Sequence, residues 1–201
     1  MKILVSLSVA GLLLLASCGG KGKDAASMSY SQEDANEVIA YYNITVDLMK
    51  KLVTTDDISK TLAYMKKDGK GFVIAPIVNR SYFQGKDTTA LLNPGDCFPD
   101  VVRDSLKALC LAYVDASNKV YANYEEYCQY IKAEDYKDDQ YAKGREIAAD
   151  QEEQGNRIQE LRARIYALVT PYADKAEEAT LKDNPLKDHI MAGKALISSL
   201  E

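Results

Sequence analysis

The chain has 201 residues, 47% of them hydrophobic and 27% charged, with 14 Tyr, 3 Phe, no Trp and a single His. That is the size of one domain or a small pair, and one histidine excludes a multi-histidine metal site. A formal net charge of −5 at pH 7 is not the basic footprint of a nucleic-acid binder, so no nucleic-acid partner is expected.

Met1-Lys2 is a short positive start, and a mostly apolar stretch follows from Ile3 to Leu15. Leu15-Ala16-Ser17-Cys18 then sets small residues ahead of a cysteine. A charged start, a short apolar core and a small-residue cleavage site predict a signal peptide over residues 1–17. The stretch is too short for a transmembrane helix, which needs about 20 apolar residues. Its end resembles the lipobox of bacterial lipoproteins. That resemblance implies cleavage before Cys18, lipidation of Cys18 and a membrane contact made by acyl chains alone. Cleavage removes one lysine and no acid, which takes the net charge from −5 to −6. Gly19 to Ser29 is small, polar and aperiodic, so residues 18–30 are expected to be the lipidated cysteine and a flexible tether. Gly19 is not the Asp that resembles an inner-membrane retention signal, which favours the outer membrane.

Residues 31–201 read as a helical domain. Ser31-Gln32-Glu33-Asp34 resembles a capping box with Asp in place of Glu. Val38, Tyr42, Thr45, Met49 and Leu52 then step by four and three on a first helix. Thr55-Asp56-Asp57 offers a second cap, and Ile58, Leu62 and Met65 continue on a short helix stopped by Asp68-Gly69-Lys70-Gly71. Phe72 to Val78 is β-branched but holds Pro76, so it is at best an edge strand. The irregular stretch from 72 to 99 carries Arg80, Tyr82, Phe83 and Phe98, and long loops of this kind are often functional.

Regular signals resume at Pro99-Asp100. Val102, Leu106, Leu109, Tyr113, Ala116, Val120, Tyr124, Tyr127 and Ile131 form the strongest periodic stripe in the chain. The next helix is expected from about Asp138 to Val169, with Ala148, Glu152, Gly155, Ile158, Leu161 and Ile165 inward, ended by Thr170-Pro171. Asn184-Pro185 repeats that device, and Leu186, Ile190, Gly193, Ile197 and Leu200 form a last stripe. The fold class is all-α: a mostly antiparallel bundle of long helices with one long irregular loop at about residues 70–99.

Chemistry-bearing residues are sparse. Cys97, Cys110 and Cys128 leave at least one thiol unpaired. Cys110 and Cys128 sit about 27 Å apart on one helix, beyond disulfide reach, and buried apolar thiols are expected. Tyr121, Tyr124, Tyr127 and Tyr130 sweep about half a helix circumference, so not all four rings can be buried. Exposed rings among them would suit a sugar or protein contact. Glu134 to Asp139 holds four acids without the ligand pattern of a calcium loop; Asp138 and Asp139 suit the first turn of a helix. Glu152-Glu153 and Glu177-Glu178 read as solvated faces, and His189 as an ordinary helix-surface residue. No catalytic motif occurs, so no catalytic residue, metal or cofactor is assigned.

Tyr127-Cys128-Gln129-Tyr130, the run from Asp135 to Gly144 and the early Tyr42-Asn43 resemble the YiiG-like family of bacterial lipoproteins over most of residues 31–169. The resemblance implies a helical domain of unknown function in the cell envelope and supplies no catalytic residue. Family members are usually longer. Either this is a short member, or the C-terminal part of the bundle is missing, which would leave an apolar stripe exposed. Two functions follow as expectations. The first is a non-enzymatic binding or scaffolding module with a membrane contact and an envelope protein partner. The alternative is a small-molecule or glycan binder with Tyr82, Phe83 and Tyr124 under the 72–99 loop.

Overall fold

The computed structural model describes residues 24–67, 74–78 and 88–198. Its helices are α1 (Gln32–Leu52), α2 (Thr55–Met65), α3 (Asp100–Ala133), the single turn α4 (Tyr136–Asp139), α5 (Ala142–Thr180) and α6 (Lys187–Ser198). No strand occurs among the described residues; 74–78 is irregular, so the edge strand is not seen there, while Phe72 and Val73 lie outside them. The stop expected at Asp68 to Gly71 also lies outside.

Caps account for the starts. The Ser31 hydroxyl accepts from the Asp34 N–H at 3.1 Å, and Thr54, one residue before the expected cap, forms a capping box with Asp57. Each satisfies a donor that the first helical turn leaves open. The buried face of α1 runs through Ala35, Val38, Tyr41, Thr45, Leu48, Met49 and Leu52, so it turns toward Tyr41 and Leu48 and leaves Tyr42 and Val46 half-buried.

Three clusters order the bundle. At one end Val38, Tyr41, Phe98, Val102 and Val169 meet. In the middle Met49, Leu52, Tyr113, Tyr121, Ile158 and Ile165 meet, and at the other end Met65, Tyr127, Ile147 and Ala148. Numbers rise together along α1–α2 and α3 and fall along α5. Hence α1 and α2, end to end, run with α3 and against α5. Helices α3 and α5, of 34 and 39 residues, span about 51 and 58 Å at 1.5 Å per residue and form a long hairpin.

α5 departs from expectation in three ways. It starts at Ala142, because Gln140 and Tyr141 take left-handed φ values of 53° and 65°. It buries Gln151, whose Nε2 donates to Thr61 Oγ1 at 2.9 Å, while Glu152 is exposed and pairs with Lys66 at 2.8 Å. And it does not stop at Thr170-Pro171: Pro171 lies inside the helix with its ring in solvent. Proline removes one helical hydrogen bond, but Val169, Tyr172, Ala173 and Ala176 on either side are buried. Tertiary packing therefore carries the helix through to Thr180.

Ala25 to Ser27 form a 3-10 turn, and Ala25, Met28 and Tyr30 pack on the first cluster, so the stretch assigned to the tether is folded from Ala25 onward. At the other terminus Lys194 joins Asp174 at 2.8 Å and Glu177 at 2.5 Å and ties α6 to α5. Glu177 is thus a half-buried ion-pair partner rather than a solvated acid. Leu186, Ile190 and Leu196 are exposed, as is His189.

Candidate binding surface

The tyrosines of α3 face inward. Tyr121, Tyr127 and Tyr130 are buried, and Tyr124 is half-buried. Their hydroxyls take main-chain or carboxylate partners. Tyr113 donates to Met49 O at 2.9 Å, Tyr121 to Leu52 O at 2.9 Å and Tyr127 to Met65 O at 3.0 Å. Those carbonyls belong to the last turns of α1 and α2, where no intrahelical donor is left. Arg162 on α5 completes the first of these grips. Its guanidinium donates to Met49 O at 2.8 Å, to Val53 O and to the Tyr113 hydroxyl at 3.1 Å. A cation at a helix C-terminus is favoured by the macrodipole as well. Burial pushes the Tyr121 phenol up to about 12 and raises Tyr113 and Tyr124. These rings are staples, not a sugar platform.

Tyr124 is the one member of the sequence-derived ligand site within the described residues. Its hydroxyl donates to Pro76 O at 2.5 Å beneath segment 74–78. Tyr82 and Phe83 lie outside the described residues, as does Cys18.

The acidic run becomes the corner between α3 and α5. Asp139 accepts the Tyr130 hydroxyl at 2.5 Å and the Lys143 N–H at 3.0 Å. The Tyr130 hydroxyl, followed by backbone N–H groups of residues 141–143, holds its carboxyl below the usual range. Asp139 thus serves the start of α5, the dipole role the sequence suggested. Gly144 makes the corner close: a Cβ there would sit 3.0 Å from Tyr130 Cε1 and 3.3 Å from Tyr127 Cε2. The Tyr136 and Tyr141 rings stack across it at 4.7 Å.

Cys97, Cys110 and Cys128 are free thiols, the first two buried. Burial pushes Cys97 and Cys110 up to about 11 and raises Cys128. A thiol held protonated is a poor nucleophile. Among the described residues no group of three or more His, Cys, Asp or Glu side chains could hold a metal.

The outer face of the α3–α5 hairpin, turned away from α1 and α2, carries a groove of 390 Å³. Ser105, Ala108, Leu109 and Ala112 of α3 form one wall, and Arg157, Glu160, Leu161 and Arg164 of α5 the other. Leu161 is buried on the floor, whereas Ala108 and the three charged residues are exposed. Sequence reading missed this face because it followed the inward stripes. The signal was there: small residues at 105, 108 and 112 keep helical spacing beside the α3 seam.

Residues 29–183 match DUF6845, described as a domain of unknown function. The chain belongs to this family. Solved structures of similar shape accompany the DUF6845 match. An alpha helical protein from Bacteroides fragilis NCTC 9343 has a TM-score of 0.69 and 30% identity, over 85% of this chain and 65% of that one. A DUF3829 family protein from Bacteroides vulgatus ATCC 8482 gives 0.62 and 27%, over 75% of this chain and 98% of that one. An uncharacterized DUF3829-like protein from Bacteroides thetaiotaomicron VPI-5482 gives 0.64 and 27%, over 80% and 58%. The chain therefore spans 65% of the length of the first of these neighbours. No curated protein matches its sequence. These similarities support an uncharacterised helical domain family, the broader part of the resemblance drawn from residues 127–144, and do not single out the YiiG-like lipoproteins.

Proposed function

We propose that this DUF6845 member is a non-enzymatic protein-binding module, held at the bacterial cell envelope by lipidated Cys18, whose outer α3–α5 face is the interface. The anchor rests on the charged start, apolar core and Leu15-Ala16-Ser17-Cys18 of the sequence, and on the resemblance to YiiG-like lipoproteins. Gly19 after the lipidated position favours the outer membrane. No helix of the described residues is long and apolar enough to cross a membrane, so attachment falls to the acyl chains. Ala25 is already packed on the bundle, and seven residues reach at most about 25 Å. The body is then held close to the bilayer, with the corner at 134–142 at the far end.

The observation that carries the binding reading is the groove of 390 Å³ with an apolar floor and a charged rim, the make-up of an interface patch. Two measurements on cells making the full chain test the two halves. Acyl labelling and membrane association should both be lost on Cys18→Ala; a variant still labelled overturns the anchor. A photo-crosslinking residue at Ala108, exposed on the groove wall, should give protein adducts that one at exposed Lys60 does not. Equal or absent adducts at Ala108 overturn the interface.

A further inference from the structure

The rim of the groove reads as a self-complementary code. Glu153, Arg157, Glu160 and Arg164 follow one another by four, three and four residues, so they share one face of α5 within about 60° of helix rotation. All four are exposed. Glu160 and Arg164 approach only to 3.6 Å, and Glu153 and Arg157 have no ion-pair partner among the described residues. The order along the helix is minus, plus, minus, plus. Reversed, it is plus, minus, plus, minus, which is its own complement. Two copies of α5 laid antiparallel, with a two-fold axis between residues 158 and 159, bring each Glu153 to an Arg164 and each Arg157 to a Glu160. Four ion pairs form from one register, and a shift by one helical turn sets like charges together.

We infer that the α3–α5 face is the interface of a two-fold dimer of this chain, with α5 antiparallel to α5 of the second copy. This rests on the interface reading above and names its occupant. A two-fold interface must be self-complementary, since any contact of one residue with a second is repeated with the two copies exchanged, and the charge order meets that demand. The walls agree: Ser105, Ala108 and Ala112 let a helix approach closely, and Leu109 and Leu161 line the groove between them and the two arginines. Val101, 63% exposed, continues the α3 wall. A small anion is disfavoured, because Arg157 and Arg164 lie two turns apart, about 10 Å, and do not converge on one group.

The test is the mass of the full mature chain, purified from membranes in detergent, by sedimentation with detergent mass subtracted. The wild type should be a dimer. Arg157→Glu with Arg164→Glu, which turns the rim wholly acidic, should weaken association at least about tenfold while leaving the helical spectrum unchanged. Adding Glu153→Lys and Glu160→Lys restores an alternating rim of opposite sign and should restore the dimer. Independently, Glu153→Cys and Arg164→Cys placed on separate copies should crosslink when mixed, and neither alone should. A monomeric wild type, or a dimer indifferent to charge reversal, overturns the inference. Ala108 adducts to another protein beside a monomeric chain would overturn the dimer and keep the binding module.

Discussion

Arg162 ties three helices together. Half-buried on α5, it holds the carbonyls of Met49 and Val53 and the Tyr113 hydroxyl, and its guanidinium lies 5.7 Å from the centroid of the Tyr113 ring. Replacing it with Met keeps the apolar stem and removes the donors. Hydrogen bonds from charged donors contribute about 1.5–3 kcal/mol net. Arg162→Met should therefore lower stability by about 2–3 kcal/mol, seen as a lower urea midpoint at unchanged slope. A loss below about 0.5 kcal/mol would mean that other donors satisfy those carbonyls. Arg162 escaped the sequence reading because an isolated arginine on a polar helix looks solvated. The tyrosines were visible as a group, but not their direction. Helical rotation alone requires some rings to face out, whereas α2 and α5 cover both flanks of the α3 stripe.

At the scale of elements, Pro171 is the informative misfit. The same Asn/Thr-Pro pattern precedes a real helix start at Asn184-Pro185, where the Asn184 side chain accepts the Leu186 N–H at 2.9 Å, and an uninterrupted helix at Thr170-Pro171. The difference is burial. Val169, Tyr172 and Ala176 sit in the first cluster, whereas Leu186 and Ile190 are exposed. Local signals place a helix boundary only where packing does not oppose it. Because the ring of Pro171 is exposed, Pro171→Ala should restore a hydrogen bond without losing a contact. It should stabilise by about 1–3 kcal/mol and raise the melting temperature by at least about 2 °C. A fall in melting temperature would show that the proline is needed where it stands. The long helices and their order were legible because their apolar spacing is sustained, and the irregular segments at 74–78 and 88–99 because that spacing lapses there. The start of α5 was not, because two consecutive ordinary residues, Gln140 and Tyr141, build a left-handed corner with no glycine to announce it.

For the whole molecule, burial of phenols and thiols makes stability sensitive to alkali. Burial raises Cys97 and Cys110 from 9.0 to about 11 and Tyr30 and Tyr121 from 10.0 to about 12; Tyr41 and Tyr130 are raised as well. The unfolded chain gives up these protons first, so it binds fewer protons than the native state above pH 9 and unfolding becomes easier with pH. Stability should be undiminished by these groups below pH 9, fall between pH 9 and 11 and fall more steeply toward 12. Tyrosinate absorbance and helical ellipticity, followed together, should show the buried phenols ionising only as helix is lost. Full ionisation with the helix intact would overturn this account.

The staples of α1 and α2 end on main-chain oxygens, which every amino acid carries. Met49, Leu52 and Met65 are gripped by Tyr113, Tyr121 and Tyr127 without regard to their own side chains. A pair of side chains drifts only when both members change in step, but here one partner is released from that constraint. Such contacts leave no trace of paired substitution between relatives, and they let the gripped helices diverge while the tyrosines hold the architecture. A shared shape at 27–30% identity is the kind of relationship that this one-sided dependence permits.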